Sequence, residues 1–221
     1  YQWQINGTNL PSIITTVAGT NIPSFFGDGG PATSAGLIAP QRLAVDAAGD
    51  LLIDDSGNKR VRRVDTNGII TTIAGTGTFG YSGNGGPATN ANIYANGGLS
   101  ADGRGNFFIA EINGGRVCKV DTNDIITLVA GGGSSYGENI LATSATINNA
   151  QAVTVDKTGN LFIADYYFYR IRKVGTNGLM TTVAGNPKAR QSGGFSGDGG
   201  QAINAAMGAP CDVAADSLGN F

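Results

Sequence analysis

Apolar residues fall in short runs separated by turns rich in Gly, Asn and Asp, and the runs return in a fixed order. IITTVAG at 13–19 recurs as IITTIAG at 69–75, IITLVAG at 125–131 and LMTTVAG at 179–185, in steps of 56, 56 and 54 residues. A second block keeps the same phase: LAVDAAGDLLIDDSGNKRVRRVDTNG from Leu43, LSADGRGNFFIAEINGGRVCKVDTND from Leu99 and VTVDKTGNLFIADYYFYRIRKVGTNG from Val153. A fourth copy opens at Val213 as VAADSLGNF. Self-similarity at this period marks a supersecondary unit that buries its apolar faces against copies of itself.

Each unit reads as four strands. In the first they fall at about 42–46, 51–54, 60–65 and 69–74, with turns at 47–49 and 66–68 and a loop at 56–59. Gly and Asn in the turns supply positive φ at little cost. The second strands, LLI, FFI and LFI, are apolar on consecutive residues, so both faces of the sheet are covered, whereas a sheet with one wet face would alternate. Radially repeated four-stranded units are the blades of a β-propeller. Leucine-rich and β-helix repeats are much shorter, and helical repeats would show a 3.6-residue period. The expected fold is all-β, a β-propeller of four-stranded antiparallel blades, about four in this chain with the last one incomplete. Residues 13–18 are expected to supply a free fourth strand for that last blade. Because natural proteins avoid exposed sheet edges, the chain is read as an excerpt of a longer protein, as a closed four-bladed ring, or as a homo-oligomer joined through open blade edges.

Composition narrows the chemistry. Gly contributes 36 of 221 residues without a Gly-X-Y period, which fits many tight turns and excludes collagen. A net charge of −2 lacks the basic footprint of a nucleic-acid binder, and no apolar run reaches the roughly 18 residues of a membrane span. The N-terminus lacks the basic-then-apolar pattern of an export signal. The chain has no His, which removes the commonest general base and metal ligand. Cys118 and Cys211 occupy non-equivalent positions in different units and read as two free, buried thiols.

VTVDKTGNLFIADYYFYRIRKV at 153–174 resembles the NHL repeat through Val155, Asp156, Gly159, Asn160, Ile163, Ala164, Asp165 and Arg170. The first unit matches through Val45, Asp46, Gly49, Asp54 or Asp55, Asn58 and Arg60, and the second through Asp102, Gly105, Asn106, Ala110 and Arg116, departing at Glu111. The resemblance covers about 13–221 and implies a propeller. It implies little about activity, since NHL propellers occur in binding, signalling and catalytic proteins. Residues 1–12, YQWQINGTNLPS, resemble the tryptophan strand of bacterial immunoglobulin-like domains, with Trp3 as the core residue, and read as a linker or remnant.

Three long inter-unit loops share a motif, FFGDGGPATSAGL from Phe25, YSGNGGPATNANI from Tyr81 and FSGDGGQAINAAM from Phe195. The third loop in chain order, GGSSYGENILATSATI, lacks it. Asp28, Asn84 and Asp198 are candidate oxygen ligands for calcium or a sugar; the alternative, that each caps its own turn, is preferred. The Pro-Ala-Thr stretch reads as a short helical turn. Asp46, Asp102, Asp156 and Asp216 end strand one in every unit and are expected to bond the following turn. Arg60, Arg116 and Arg170 are expected to pair with Asp55, Glu111 and Asp165. The basic stripe Lys59, Arg60, Arg62 and Arg63 reads as a solvated strand face.

One loop sets the third unit apart, with Tyr166, Tyr167, Phe168 and Tyr169 where the first has Ser56, Gly57, Asn58 and Lys59. Four successive aromatics cannot all turn inward, so they are candidates for ligand binding, with inter-blade packing as the alternative. No catalytic residue is assigned. The expected function is a non-catalytic recognition scaffold for protein or carbohydrate, extracellular or on the surface of a bacterial cell, acting through loops on one rim. The alternatives are a propeller enzyme (lyase or calcium-dependent hydrolase) and a structural self-assembling module.

Overall fold

The computed structural model describes residues 4–5, 8–9, 14–94, 96–186, 194–216 and 218–221. Near the N-terminus β1 (Gln4–Ile5) pairs antiparallel with β2 (Thr8–Asn9); Trp3 and residues 10–13 lie outside the described residues. Blade 1 comprises β3 (Arg42–Val45), β4 (Leu51–Asp55), β5 (Arg60–Val64) and β6 (Ile70–Ala74), hydrogen-bonded in that order. Blade 2 repeats the plan with β7 (Leu99–Ala101), β8 (Phe107–Glu111), β9 (Arg116–Val120) and β10 (Ile126–Gly131). In blade 3 a short β11 (Ile140–Leu141) adds to the outer edge of β12 (Ala150–Val155), β13 (Leu161–Asp165), β14 (Arg170–Val174) and β15 (Leu179–Ala184).

The first strands of successive blades neighbour one another, β3 beside β7 and β7 beside β12. The apolar cores lie between blades. Residues of β8 alternate between two of them, Phe107 and Ile109 packing toward Leu52 and Val61 of blade 1, Phe108 and Ala110 toward Val153 and Ile163 of blade 3. This is the physical content of the unbroken apolar run: each face of the sheet has its own neighbour.

The long loops belong to the blades that follow them. Gly29 N–H donates to Ile70 O, Ile70 N–H to Gly30 O and Ala32 N–H to Gly68 O, laying the loop along the outer edge of β6; Gly85, Ile126 and Ala88 repeat the arrangement on blade 2. Single 3-10 turns follow at Ala32–Ser34, Ala88–Asn90, Ala142–Ser144 and Ala202–Asn204, as the Pro-Ala-Thr stretch predicts. The glycine that closes each VAG run is a matter of space as well as conformation. A Cβ on Gly75, Gly131 or Gly185, all at positive φ, would sit within 2.3 Å of the carbonyl oxygen of Lys59, Gly115 or Tyr169.

One expectation is corrected at the start of the array. Residues 14–17 are exposed and form no strand, so they do not complete a blade; instead Ala18 packs beside Leu37 and Leu51 on blade 1. The fourth unit is incomplete, as expected: it keeps its turn, with Asp216 accepting from Leu218 N and Asn220 N at 2.9 Å, and its described residues show no strand. Val213 and Ala215 cover the open face of blade 3, and Phe221 stacks on Phe162 with ring centroids 4.9 Å apart.

Candidate functional site

One rim carries the loops between second and third strands, and a buried carboxylate anchors each. Asp55, Glu111 and Asp165, all fully buried, accept from the backbone N–H of Ile38, Tyr94 and Asn148, fastening the incoming connector beneath the loop. The expected partnership with Arg60, Arg116 and Arg170 forms directly only in blade 3, where Arg170 Nε lies 3.2 Å from Asp165. In blade 1 the arginine two residues along takes the acid: Arg62 reaches Asp55 at 3.4 Å, and Asn58 donates to it at 2.8 Å. Arg60 instead donates to Asn58 O and Thr76 O and lies 3.7 Å above the Phe25 ring. Arg116 sits likewise over Tyr81, and Arg170 over Phe168, so in each unit a cation covers an aromatic face.

Arg62 overturns the reading of the basic stripe as a solvated face, because it is fully buried. Its second partner is Asp28, at 2.6 Å, which also accepts from Thr72 Oγ1. Asp28 is thus a latch that ties the loop to β5 and β6. Asn84 holds the corresponding position on blade 2, accepting from Leu128 N at 2.7 Å. The loop that seemed to lack the motif has the same latch: Glu138 accepts from Thr182 N and Oγ1, faces Arg172 at 3.8 Å, and is followed by Asn139 at φ 58 where the other loops have Gly. Charge is matched at each latch. Asp28 meets Arg62, and Glu138 faces both Arg172 at 3.8 Å and Arg170 at 3.7 Å, while in blade 2 the arginine position is Cys118 and the latch is neutral Asn84. Asp198 is exposed. Asp28 and Asn84 therefore stand on the outer edges of separate blades rather than converging, and no group of three or more Cys, Asp or Glu is placed to hold a metal among the described residues.

Loss of that arginine leaves Glu111 with an unpartnered Oε2. Burial pushes its carboxyl up to about 7, against the hydrogen bond from Tyr94 N and the field of Arg116. Asp54, buried beside Ser56, and Asp165 are each raised to about 6 by burial. Asp46, Asp102 and Asp156 fill their expected role, each accepting from amides of its own turn. For Asp156 burial works upward but is outweighed by Asn160 and Thr158, which bring it to about 2. Both cysteines are free, but only Cys118 is buried; Cys211, expected inside, is exposed.

The aromatic loop forms a 3-10 turn at Tyr166–Phe168, closed by Tyr169 in the left-handed region at φ 53. Amides of Tyr166 and Tyr167 donate to Asn149 O and Asn148 O, fixing the loop on the connector. Tyr166 and Tyr167 meet edge to face at 4.9 Å, and Phe168 meets Tyr136 at 5.6 Å. Tyr167 is 52% exposed and Tyr136 44%. Tyr136 stands two residues before Glu138, as Phe26 stands two before Asp28, and sequence reasoning missed it.

Fold, repeat and rim together define the class: the chain is an NHL-repeat β-propeller. The family described as the teneurin NHL domain matches residues 21–82. Teneurin-1 of Mus musculus is 30% identical over 220 residues, covering 90% of this chain, and teneurin-1 of Homo sapiens is 29% identical over the same length. The chain spans only 8% of the length of either relative. Among solved structures, an auxiliary nutrient binding protein from Bacteroides thetaiotaomicron superposes with a TM-score of 0.59 at 16% identity, over 83% of this chain and 44% of its own. A protein of unknown function from the same organism gives 0.57 at 23% identity, over 78% and 41%. No helix among the described residues is long and apolar enough to cross a membrane.

Proposed function

We propose that the chain is a non-catalytic recognition scaffold, outside the cell or on its surface, that binds a protein through the aromatic rim of blade 3. The carrying observation is the group Tyr166, Tyr167 and Phe168, held on a hydrogen-bonded turn and joined by Tyr136 from another loop, with the rings of Tyr167 and Tyr136 exposed. Tyrosines on a rigid turn give large contact area at small entropic cost and are enriched among residues that dominate interfaces. Edge-to-face packing of Tyr166 on Tyr167, at 89°, offers no flat platform for a sugar ring and favours a protein over a carbohydrate partner. The buried acids of this rim are turned to backbone amides under the loops, which favours a scaffold over a lyase or calcium-dependent hydrolase. Likeness to the teneurins supports the extracellular setting. Those sequence relatives are vertebrate and the superposed structures bacterial, so a bacterial origin draws its support from the first twelve residues alone.

The test is binding of the chain and of a Tyr166→Ser/Tyr167→Ser variant to an array of purified cell-surface ectodomains and to a glycan array. An ectodomain bound by the parent and lost about 30-fold or more in the variant, the scale of a hot-spot truncation, is the expected result. Equal binding by both proteins, or capture of glycans alone, would overturn the proposal.

A further inference from the structure

The gap between blades 2 and 3 opens on the opposite rim, where turns join first to second and third to fourth strands. There it widens into a cleft of about 400 Å³, a size typical of small-ligand sites. Arg104 stands at its inner end, with Nη1 3.7 Å from where a Cβ on Gly159 of the facing blade would lie. Lys119 lines the middle, and Leu128, Val129 and Leu141 the outer end. Asp102 also lines it, but its carboxylate already accepts from Arg104 N, Asn106 N and Asn106 Nδ2. Neither Arg104 nor Lys119 forms an ion pair among the described residues; the field of Lys119 acts on Asp121, outside the cleft.

Residues identical in every unit serve the unit, so departures from the repeat carry the information. Three meet here. Arg104 replaces the Ala48 and Thr158 of its neighbours, Leu128 replaces Thr72 and Thr182, and Leu141 replaces Pro31 and Pro87. Leu141 is 59% exposed, an apolar side chain left in the open where the other copies have proline or, at Gln201, a polar residue. Arg104 at one end and Leu128 and Leu141 at the other are introduced only at this gap, and between them Lys119 keeps the cation that the other units carry as Arg63 and Lys173; together they describe complementarity to an amphipathic anion.

We propose that this cleft binds a small alkyl or aryl carboxylate, its anion held between Arg104 and Lys119 and its apolar body laid against Leu128, Val129 and Leu141. The site is independent of the aromatic rim. Calorimetric titration with sodium decanoate is expected to show one site per chain, retained in a Leu43→Asp variant that blunts the exposed face of blade 1. Arg104→Ala/Lys119→Ala is expected to weaken binding by at least about tenfold, Leu141→Pro by several-fold, and decylamine to bind at least about tenfold more weakly than decanoate. Arg104 is exposed and Lys119 half-buried, so an unchanged melting temperature accompanies these substitutions; if the double variant unfolds, Arg104→Gln carries the comparison. No decanoate binding up to about 1 mM, equal binding of decylamine, or undiminished binding by the folded variants would overturn the proposal.

Discussion

Glu111 is the residue whose surroundings differ most from those of its counterparts, because Cys118 stands where Asp55 and Asp165 have Arg62 and Arg172 nearby. The unfolded chain releases its proton near the ordinary carboxylate value, whereas the fold retains it to about 7. Between those values unfolding releases a proton, so this group's contribution to stability falls as pH rises and reaches its full cost above about pH 7. The difference is about 3 kcal/mol. Urea midpoints of the parent and of Glu111→Gln are therefore expected to agree near pH 4.5 and diverge toward pH 8, with the variant the more stable; parallel profiles would contradict this. The latch gives a second expectation. Removing Arg62 leaves Asp55 buried without its cation, so Arg62→Ala is expected to cost about 3–5 kcal/mol. Arg62→Cys with Asp28→Asn, which copies blade 2 into blade 1, is expected to recover part of that loss in a double-mutant cycle.

At the scale of elements, each outer strand ends on a glycine pressed against the third strand. Gly131→Ala combines a positive φ with a clash against Gly115 O, and is expected to lower stability by at least about 2 kcal/mol in chemical denaturation. The elements were largely legible: strands of the first unit begin and end within a residue of their expected limits, because turn chemistry and apolar runs agree. What escaped was long-range. Arg62 and Arg63 look alike in sequence, and only their register on β4, opposite Ile53 and Leu52, turns one inward; Cys118 at the equivalent position, a residue type that favours burial, was the available clue. Glu138 was hidden because its loop keeps neither Asp nor Gly-Gly. Counting back four residues from Ala142, as Asp28 stands four before Ala32, would have found it. Of the candidate site, the aromatic turn could be read locally, but Tyr136 reaches it from another loop, and its match to Phe26 emerges only once Glu138 is aligned with Asp28.

Over the whole molecule, the outward face of blade 1 has no neighbouring blade among the described residues. Leu43 and Val45 of β3 are 62% and 63% exposed, whereas Leu99 and Val153, the counterparts of Leu43, are 8% and 4% exposed under the preceding blade. Ile14 and Val17 are exposed as well. Open apolar area of this kind drives association, and sedimentation velocity is expected to show a mean mass that rises with concentration, returning to that of one chain in Leu43→Asp/Val45→Asp. A constant monomer mass for the parent would refute it. The latch has a consequence at this scale as well. Asp28 precedes the arginine it neutralises by 34 positions, and Glu138 precedes Arg172 by the same number, so each counter-ion travels in the same stretch of chain as its charge. A cassette cut ahead of the latch is electrically self-contained. Duplicating or deleting such a cassette leaves no latch cation orphaned in the blades that remain.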